Sequence, residues 1–447
     1  MKILLFENRY SSKLFRRAIE YAFEGAQVVG ISEYRGLSDI WIGSYLYDNS
    51  YDAPPSLSQE AIDDVIARDR ALAIMNKDRA DRIVRRYWNG LCELFDTSHF
   101  DCVISVALDR YGEDILFRKA AECRLPVISP LGSFMSEYAM FTQRGELTPL
   151  HRGVSQEEIG RVLSRLVDVR YLPKSEEEHV RQNHWGIKKY YIRRRLIESF
   201  FYPIRKAIER DPDNHQYNVL GLKGCRLRDY YRKDIDDIFT TVSDIEVDRN
   251  KSVYLPLHFI PEASTSYWCQ DVARLGYLAH IQRTIEASDP SITFLIKEHP
   301  SMYGKRLLTF YESLLSMKNV RLIHPLDRSN MVLEKVDTVV VDTGTVGIEA
   351  LLRGKRVIAL ADSYYSNLHP NIIRADAVSN EMLSAPIVAY DSSCFLGDYL
   401  DGLFYADFFN GKGQEICSYK QLGEGFRLNV RALSLKNGSD HMAQGVE

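Results

Sequence analysis

The stretch Thr338–Leu360, TVVVDTGTVGIEALLRGKRVIAL, decides the reading of this chain. Four apolar and β-branched residues stop at Asp342. A polar segment with one glycine follows, then the apolar pattern of a helix from Val346, and then a second apolar run at Arg356–Leu360. A short continuous Val/Ile run ending in polar residues is how a strand buried on both faces meets a ligand-facing edge. Strand, helix and strand in that order predict a right-handed crossover in a parallel sheet. Two more runs end the same way: SVYLPLHFIPEAST (Ser252–Thr265) and FLIKEHP (Phe294–Pro300).

Working outward, strands are expected at Val253–Phe259, Ile292–Ile296, Val320–Ile323, Thr338–Val341 and Arg356–Leu360, with helices at Gln270–Ala287, Arg306–Ser316 and Val346–Leu352. The N-terminal half repeats the rhythm. Lys2–Phe6 and Gln27–Ile31 read as strands around a helix near Ser12–Glu24, and Cys102–Ala107 and Pro126–Ser129 as further strands. The fold class is therefore α/β with two Rossmann-like domains. The expected division is 1–210, with a helical extension, then a passage at 211–251, a second domain at 252–435 and a disordered tail at 436–447. A helix near Leu227–Phe239 is possible within the passage, and long charged helices are expected at Ser155–Val167 and Lys174–Glu209.

Composition narrows the function. With 447 residues, 45% of them hydrophobic, the chain is long enough for two packed cores, and a net charge of −4 speaks against a general nucleic-acid binder. Seven cysteines without CxxC spacing fit neither a disulfide framework nor a zinc site and suggest a reducing compartment. The opening MKILLFENRY turns polar too early for a signal peptide, and no apolar run reaches the roughly 18 residues of a spanning helix. A cytoplasmic protein is expected. The basic run Lys188–Arg195, KKYYIRRR, reads either as a solvated helix face or as a contact for an anionic acceptor or an acidic membrane surface.

The chemistry sits at the strand ends. Thr343, Gly344 and Thr345 precede a helix, where backbone N–H groups and hydroxyls suit a phosphate oxygen, and Glu349 one turn on can accept from a ribose diol. The plainer reading makes Thr345 an N-cap and Gly344 a turn residue. Lys297, Glu298 and His299 stand just past a strand that Pro300 prevents from continuing; Lys297 can neutralise a phosphate and His299 can donate to it, or His299 can simply pack. Glu262 follows the first strand of this half and is either reactive or a surface cap. In the N-terminal half, Asp109 within the Asp109–Asp114 loop and Glu146 beside the Gly145 turn are the corresponding carboxylates.

Taken together, LPLHFIPEAST, IKEHP and DTGTVGIEALLRGKRVIAL resemble the capsule polysaccharide biosynthesis family, which includes Kdo transferases using CMP-Kdo. The resemblance implies a GT-B-like pair of domains facing a cleft, with the nucleotide held by the C-terminal domain and the acceptor by the N-terminal one. It implies His299 and Pro300 at the CMP phosphate or ribose, Thr343 and Thr345 at the phosphate, and Glu349 at the ribose or base. Glu262 stands where such transferases carry a catalytic Asp, although the surrounding residues depart from their motif, and Glu146 is an alternative. The expected partners are a CMP-sugar donor and a glycan or lipid-linked glycan acceptor, with a possible peripheral contact at the inner membrane. No cofactor and no metal are expected. The rival activities are a CDP-glycerol or CDP-ribitol phosphotransferase, a non-catalytic nucleotide-sugar-binding subunit, and a UDP-sugar transferase or epimerase of the same fold.

Overall fold

A computed structural model describes residues 1–135, 137–168, 189, 192, 193, 196–209, 235–260, 262–268, 275–303, 306–407 and 418–443. Its strands, in chain order, are β1 (Lys2–Glu7), β2 (Gln27–Ser32), β3 (Ile40–Trp41), β4 (Cys102–Ile104), β5 (Val127–Ile128), β6 (Pro130–Gly132), β7 (Tyr138–Phe141), β8 (Ser252–Pro256), β9 (Thr293–Lys297), β10 (Val320–Ile323), β11 (Thr338–Val341), β12 (Arg356–Ala359), β13 (Ile372–Arg374) and β14 (Leu403–Tyr405). The chain divides into two units: residues 1–153, 200–220 and 400–447 form one, and residues 154–199 and 221–399 the other.

The second unit is built on a six-stranded sheet in the order β10-β9-β8-β11-β12-β13, and every pair in it is parallel. The chain enters at β8 in the middle, steps outward through β9 to β10, then crosses back to β11 and outward the other way. Neighbours β8 and β11 therefore send their crossovers in opposite directions, which opens a crevice at their carboxyl ends. All four residues of β11 are buried, as a strand covered on both faces requires. Val253, Leu255, Phe294, Ile296, Leu322, Val340 and Ile358 pack with helix Tyr277–Ala287, whose Tyr277, Ile281 and Ile285 recur every four residues and so share one face. Helix Val346–Leu352 has only seven residues, six of them buried. Its Gly347 has no alternative, because a Cβ there would come within 2.2 Å of Tyr365 Oη.

The first unit carries a five-stranded parallel sheet, β3-β2-β1-β4-β5, wound the same way from its central strand. Beside it lies an antiparallel sheet, β14-β7-β6, which the sequence reading did not anticipate. Its strands have three or four residues each, too few to show an alternation.

The expected second domain, 252–435, ends too late. β14 pairs with β7, Phe404 stacks on Phe141 at 4.7 Å, and Phe426 of helix Tyr419–Ala443 lies 5.9 Å from Phe15 of helix Ser12–Ala22, so the C-terminal segment joins the first unit's core. The tail expected to be disordered from 436 continues that helix to Ala443. Conversely, helix Gln156–Val167, capped by Ser155, belongs to the second unit, where Leu166 O accepts from Arg353 at 3.2 Å. Only Lys189, Ile192 and Arg193 of the KKYYIRRR run are described. Residues 211–234 of the passage lie outside the described residues, and Ile235–Ile238, where a helix was thought possible, is a 3-10 turn.

Candidate functional site

Three adjacent strand ends of the second unit converge. β8 stops at Pro256, and the Leu257 N–H donates to Lys297 O at 2.8 Å, which keeps the segment after β8 beside the end of β9. His258 then turns across to β11. Its buried ring accepts the Thr343 N–H at Nε2 (3.3 Å) and faces Glu262 Oε2 with Nδ1 at 3.6 Å. The first contact requires a neutral imidazole with its proton on Nδ1, the nitrogen facing the carboxylate. His258 thus bridges the two strands between which the winding reverses.

Glu262 stands at the N-cap position of the short helix Ala263–Ser266 and keeps 46% of its side chain exposed. Its carbonyl accepts from Thr265 Oγ1, and its carboxylate accepts from Ser264 Oγ at 2.8 Å. Burial opposes ionisation, but the hydrogen bonds from His258 and Ser264 and the favourable electrostatics of the neighbouring His258 and His299 rings outweigh it and hold the carboxyl below the usual carboxylate range. Such a group is a base, a nucleophile or an electrostatic stabiliser at neutral pH, not an acid.

Beyond β11, Asp342 Oδ1 and Thr343 Oγ1 are buried and have no hydrogen-bond partner among the described residues. Buried polar atoms are seldom left so, because each forgoes about 1–3 kcal/mol of interaction. One is an acceptor and the other can donate, so together they suit a ligand that presents both a donor and an acceptor. Gly344 O accepts from Tyr365 Oη at 2.6 Å, which fixes the loop. Thr345 already has helical dihedrals (φ −63°, ψ −20°) and makes no side-chain cap, so the capping role open to it from sequence is not taken. Glu349 is buried one turn further on, 4.0 Å from Arg353 Nη1.

At the end of β9 the structure separates residues that the sequence reading grouped. Lys297 is buried and His299 half-buried, its ring 5.8 Å from that of Phe259; Pro300 starts a 3-10 turn. Glu298, expected among the nucleotide contacts, points inward instead. Arg306 grips both of its oxygens (2.5 and 2.9 Å), Tyr311 Oη donates at 2.6 Å and the His299 N–H at 2.6 Å, and Arg306 also donates to His258 O. Its carboxylate is thus spent on holding the His258 and His299 segments together.

In the first unit the equivalent strand ends are full of carboxylates tied to arginines. Glu7 pairs with Arg16, Asp109 with Arg70, and Asp114 with Arg118 and Arg144. Glu146 is exposed, and its carboxylate accepts the N–H groups of Gln143 and Arg144 at 2.7 and 2.8 Å, a brace for the turn that Gly145 makes at φ +95°. The most unusual group lies inside the Asp109–Asp114 loop, where the sequence reading singled out Asp109 instead. Glu113 is fully buried, 3.3 Å from Arg110 Nε, while Arg110 also binds Glu33. Burial pushes the Glu113 carboxyl well above the usual range; Arg110 opposes the shift, and Glu33 and Asp109 add to it. Gly112 makes this crowding possible, since a Cβ there would meet Glu33 Oε1 at 2.9 Å. Among the described residues no three His, Cys, Asp or Glu side chains gather as metal ligands would, and no helix is long and apolar enough to cross a membrane.

Comparison with known proteins agrees with the motif resemblance. Residues 172–368 match the family described as capsule polysaccharide biosynthesis protein, a span that contains His258, Glu262, His299 and Asp342–Thr345. No curated protein matches the sequence. Among solved structures, the β-Kdo 2,7 transferase and the β-Kdo 2,4 transferase of KpsC from Thermosulfurimonas dismutans are both 12% identical, with TM-scores of 0.36 and 0.37; each alignment covers 96% of this chain, and 99% and 98% of theirs. UDP-GlcNAc 2-epimerase from Methanocaldococcus jannaschii is 15% identical over 97% of this chain and 99% of its own, with a TM-score of 0.24. These likenesses are distant, and nothing in the site rests on them.

Proposed function

We propose that the chain is a glycosyltransferase of bacterial surface-polysaccharide biosynthesis that takes Kdo or a related 2-keto acid sugar from a CMP-linked donor. The observation that carries this reading is the unpartnered pair Asp342 Oδ1 and Thr343 Oγ1 at the point where the winding of the second unit's sheet reverses, inside the segment that matches the capsule family. A nucleoside monophosphate offers both an anionic acceptor and hydroxyl or amine donors, which is the complement this pair lacks.

In this reading the Thr343 hydroxyl donates to a phosphate oxygen and Asp342 accepts from the nucleoside or the sugar. Lys297 and His299 balance the charge of the departing CMP, and Pro300 turns the chain away behind them. CMP leaves as a phosphate, so stabilising its charge replaces acid assistance at the leaving group. Ionised Glu262 then serves the anomeric carbon, as nucleophile in a retaining reaction or as base towards the acceptor hydroxyl in an inverting one. Sugar nucleotides of this kind are cytoplasmic, and so is the site of action we assign.

The test is thermal denaturation with CMP, CDP, UDP and GDP. CMP is expected to stabilise the protein most, and His299→Ala to remove most of that shift, a loss on the order of 1.5–3 kcal/mol for a charge-assisted hydrogen bond. Equal stabilisation by all four nucleotides overturns the assignment. Release of CMP together with transfer of a phosphate-bearing group would identify the glycerol or ribitol phosphotransferase instead.

A further inference from the structure

His258 is met at each of its polar atoms by a different residue. Its N–H donates to Tyr277 Oη at 2.9 Å, and its carbonyl accepts from Arg306 Nη2 at 2.9 Å. Tyr277 opens the helix Tyr277–Ala287 and meets the imidazole edge-on, with ring centroids 5.5 Å apart, while Arg306 is itself fixed by the buried Glu298. A buried ring whose main chain is clamped on both sides has little freedom to turn, so the fold decides what its two nitrogens face. Nε2 lies 3.3 Å from Thr343 N and 3.5 Å from where a Cβ on Gly344 would stand, and Nδ1 lies 3.6 Å from Glu262 Oε2.

The two nitrogens do not act independently. A donor at Nε2 obliges that nitrogen to accept, which puts the ring's one proton on Nδ1, towards the carboxylate. The same donor closes a relay. Were Glu262 to take a proton from an acceptor hydroxyl, it could not pass one on through His258, whose far nitrogen already faces an N–H; the proton leaves from the exposed side of Glu262. A protonated ring has an N–H at both nitrogens, and the one at Nε2 opposes the Thr343 N–H, so the loop carrying the Thr343 hydroxyl loses its anchor. The charged and titratable groups around the ring are Glu262 at Nδ1, Asp342 just before Thr343, Tyr277 at its edge, Arg306 and Glu298 behind its carbonyl, and His299, which acts on Glu262.

We propose that His258 is a positioning residue that serves both halves of the crevice in one form only: neutral, with Nε2 anchoring the Thr343 loop and Nδ1–H orienting Glu262. This rests on reading the crevice as the phosphate site, and part of its test needs no nucleotide. Two amides separate the roles. Glutamine can bring a carbonyl to the place of Nε2 and does not titrate, whereas asparagine reaches only as far as Nδ1. At mildly alkaline pH, His258→Gln should bind CMP nearly as wild type does and release it from the donor about tenfold more slowly, and His258→Asn should bind CMP about tenfold more weakly. As pH falls, CMP binding to wild type should weaken further than binding to His258→Gln. Protonation of CMP and of His299 affects both proteins alike, so the difference between the profiles reports His258. Without nucleotide, nuclear magnetic resonance of the chain with isotope-labelled histidine should find the His258 proton on Nδ1. The Thr343 amide signal should move as His258 takes its second proton, and should not do so in His258→Gln. A proton on Nε2, or a Thr343 amide indifferent to His258, overturns the proposal whatever CMP does, and this measurement on wild type decides should a variant misfold. Identical pH profiles for wild type and His258→Gln, or the same losses in the two amide variants, overturn it too. If no protein binds CMP, the phosphate reading falls, and the resonance titration alone judges the hold of His258 on Thr343.

Discussion

The two units wind their sheets alike, from a central strand outward on one side and then on the other, yet the ends of those strands are chemically opposite. In the first unit, carboxylates crowd the edge and arginines from neighbouring segments pair with them: Glu7 with Arg16, Glu33 with Arg110, Asp109 with Arg70, Asp114 with Arg144. In the second unit Glu298 with Arg306 is drawn inside, and Asp362, just past β12, pairs with Arg374 of β13. Around β8, β9 and β11 the edge carries His258, Lys297, His299, the Thr343 hydroxyl and the Asp342 carboxylate oxygen, which have no partner among the described residues, and Glu262, whose carboxyl is held below the usual range. Common topology thus supplies the crevice, and the side chains that fill it decide whether it can take an anion.

The comparison can be broken at several points. The largest expected effect is structural. Arg306→Met strands the buried Glu298 carboxylate and should destabilise the protein by about 3–5 kcal/mol in chemical denaturation. A loss below about 1 kcal/mol would mean that Glu298 is not the buried anchor described. Next comes Glu262→Gln, which should lower CMP release by roughly a hundredfold, or about 2.7 kcal/mol, while CMP binding stays near wild type. Glu146→Gln, whose carboxylate braces its own turn, should leave turnover almost unchanged. If the two variants exchange behaviour, the reactive carboxylate belongs to the first unit.

Glu113 sharpens the contrast through pH. Its pKa is raised in the folded protein, so between the ordinary Glu range and that raised value the folded state binds the extra proton, and stability falls as pH rises. One such proton gives a slope of about 1.4 kcal/mol per pH unit. Glu113→Gln, which keeps a neutral group in place, should flatten that part of the curve and be more stable than wild type at neutral pH. Glu262 has the opposite sign: its lowered pKa contributes stability that is present above the unfolded value and lost as pH falls through the folded one.

Local pattern carried much of this into the sequence. Thr338–Val341 and Val346–Leu352 are where the apolar run and its helical successor placed them, because a strand buried on both faces and a helix packed almost entirely inside leave continuous signals. β8 is shorter than its apolar run: the strand stops at Pro256, and Leu257–Phe259 lead on to the site. Long-range pairings left no such trace. Nothing in IKEHP tells that Arg306, eight residues beyond Glu298, turns that carboxylate inward, and a lone His258 reads like any packing histidine until Thr343 is seen donating to it. The return of Leu403–Tyr405 to pair with β7 was hidden for the same reason, since a strand of three residues has no period to detect.

The central claim is that the crevice after β8 and β11 holds the phosphate of CMP through Thr343. Calorimetric titration of CMP into the wild-type chain and into Thr343→Val tests it most directly, because valine keeps the shape and removes the hydroxyl. The account predicts CMP binding to the wild type and about tenfold weaker binding to the variant, near 1.4 kcal/mol, with unfolding unchanged in the absence of nucleotide. Equal affinity in the two proteins, or no CMP binding to either, contradicts it.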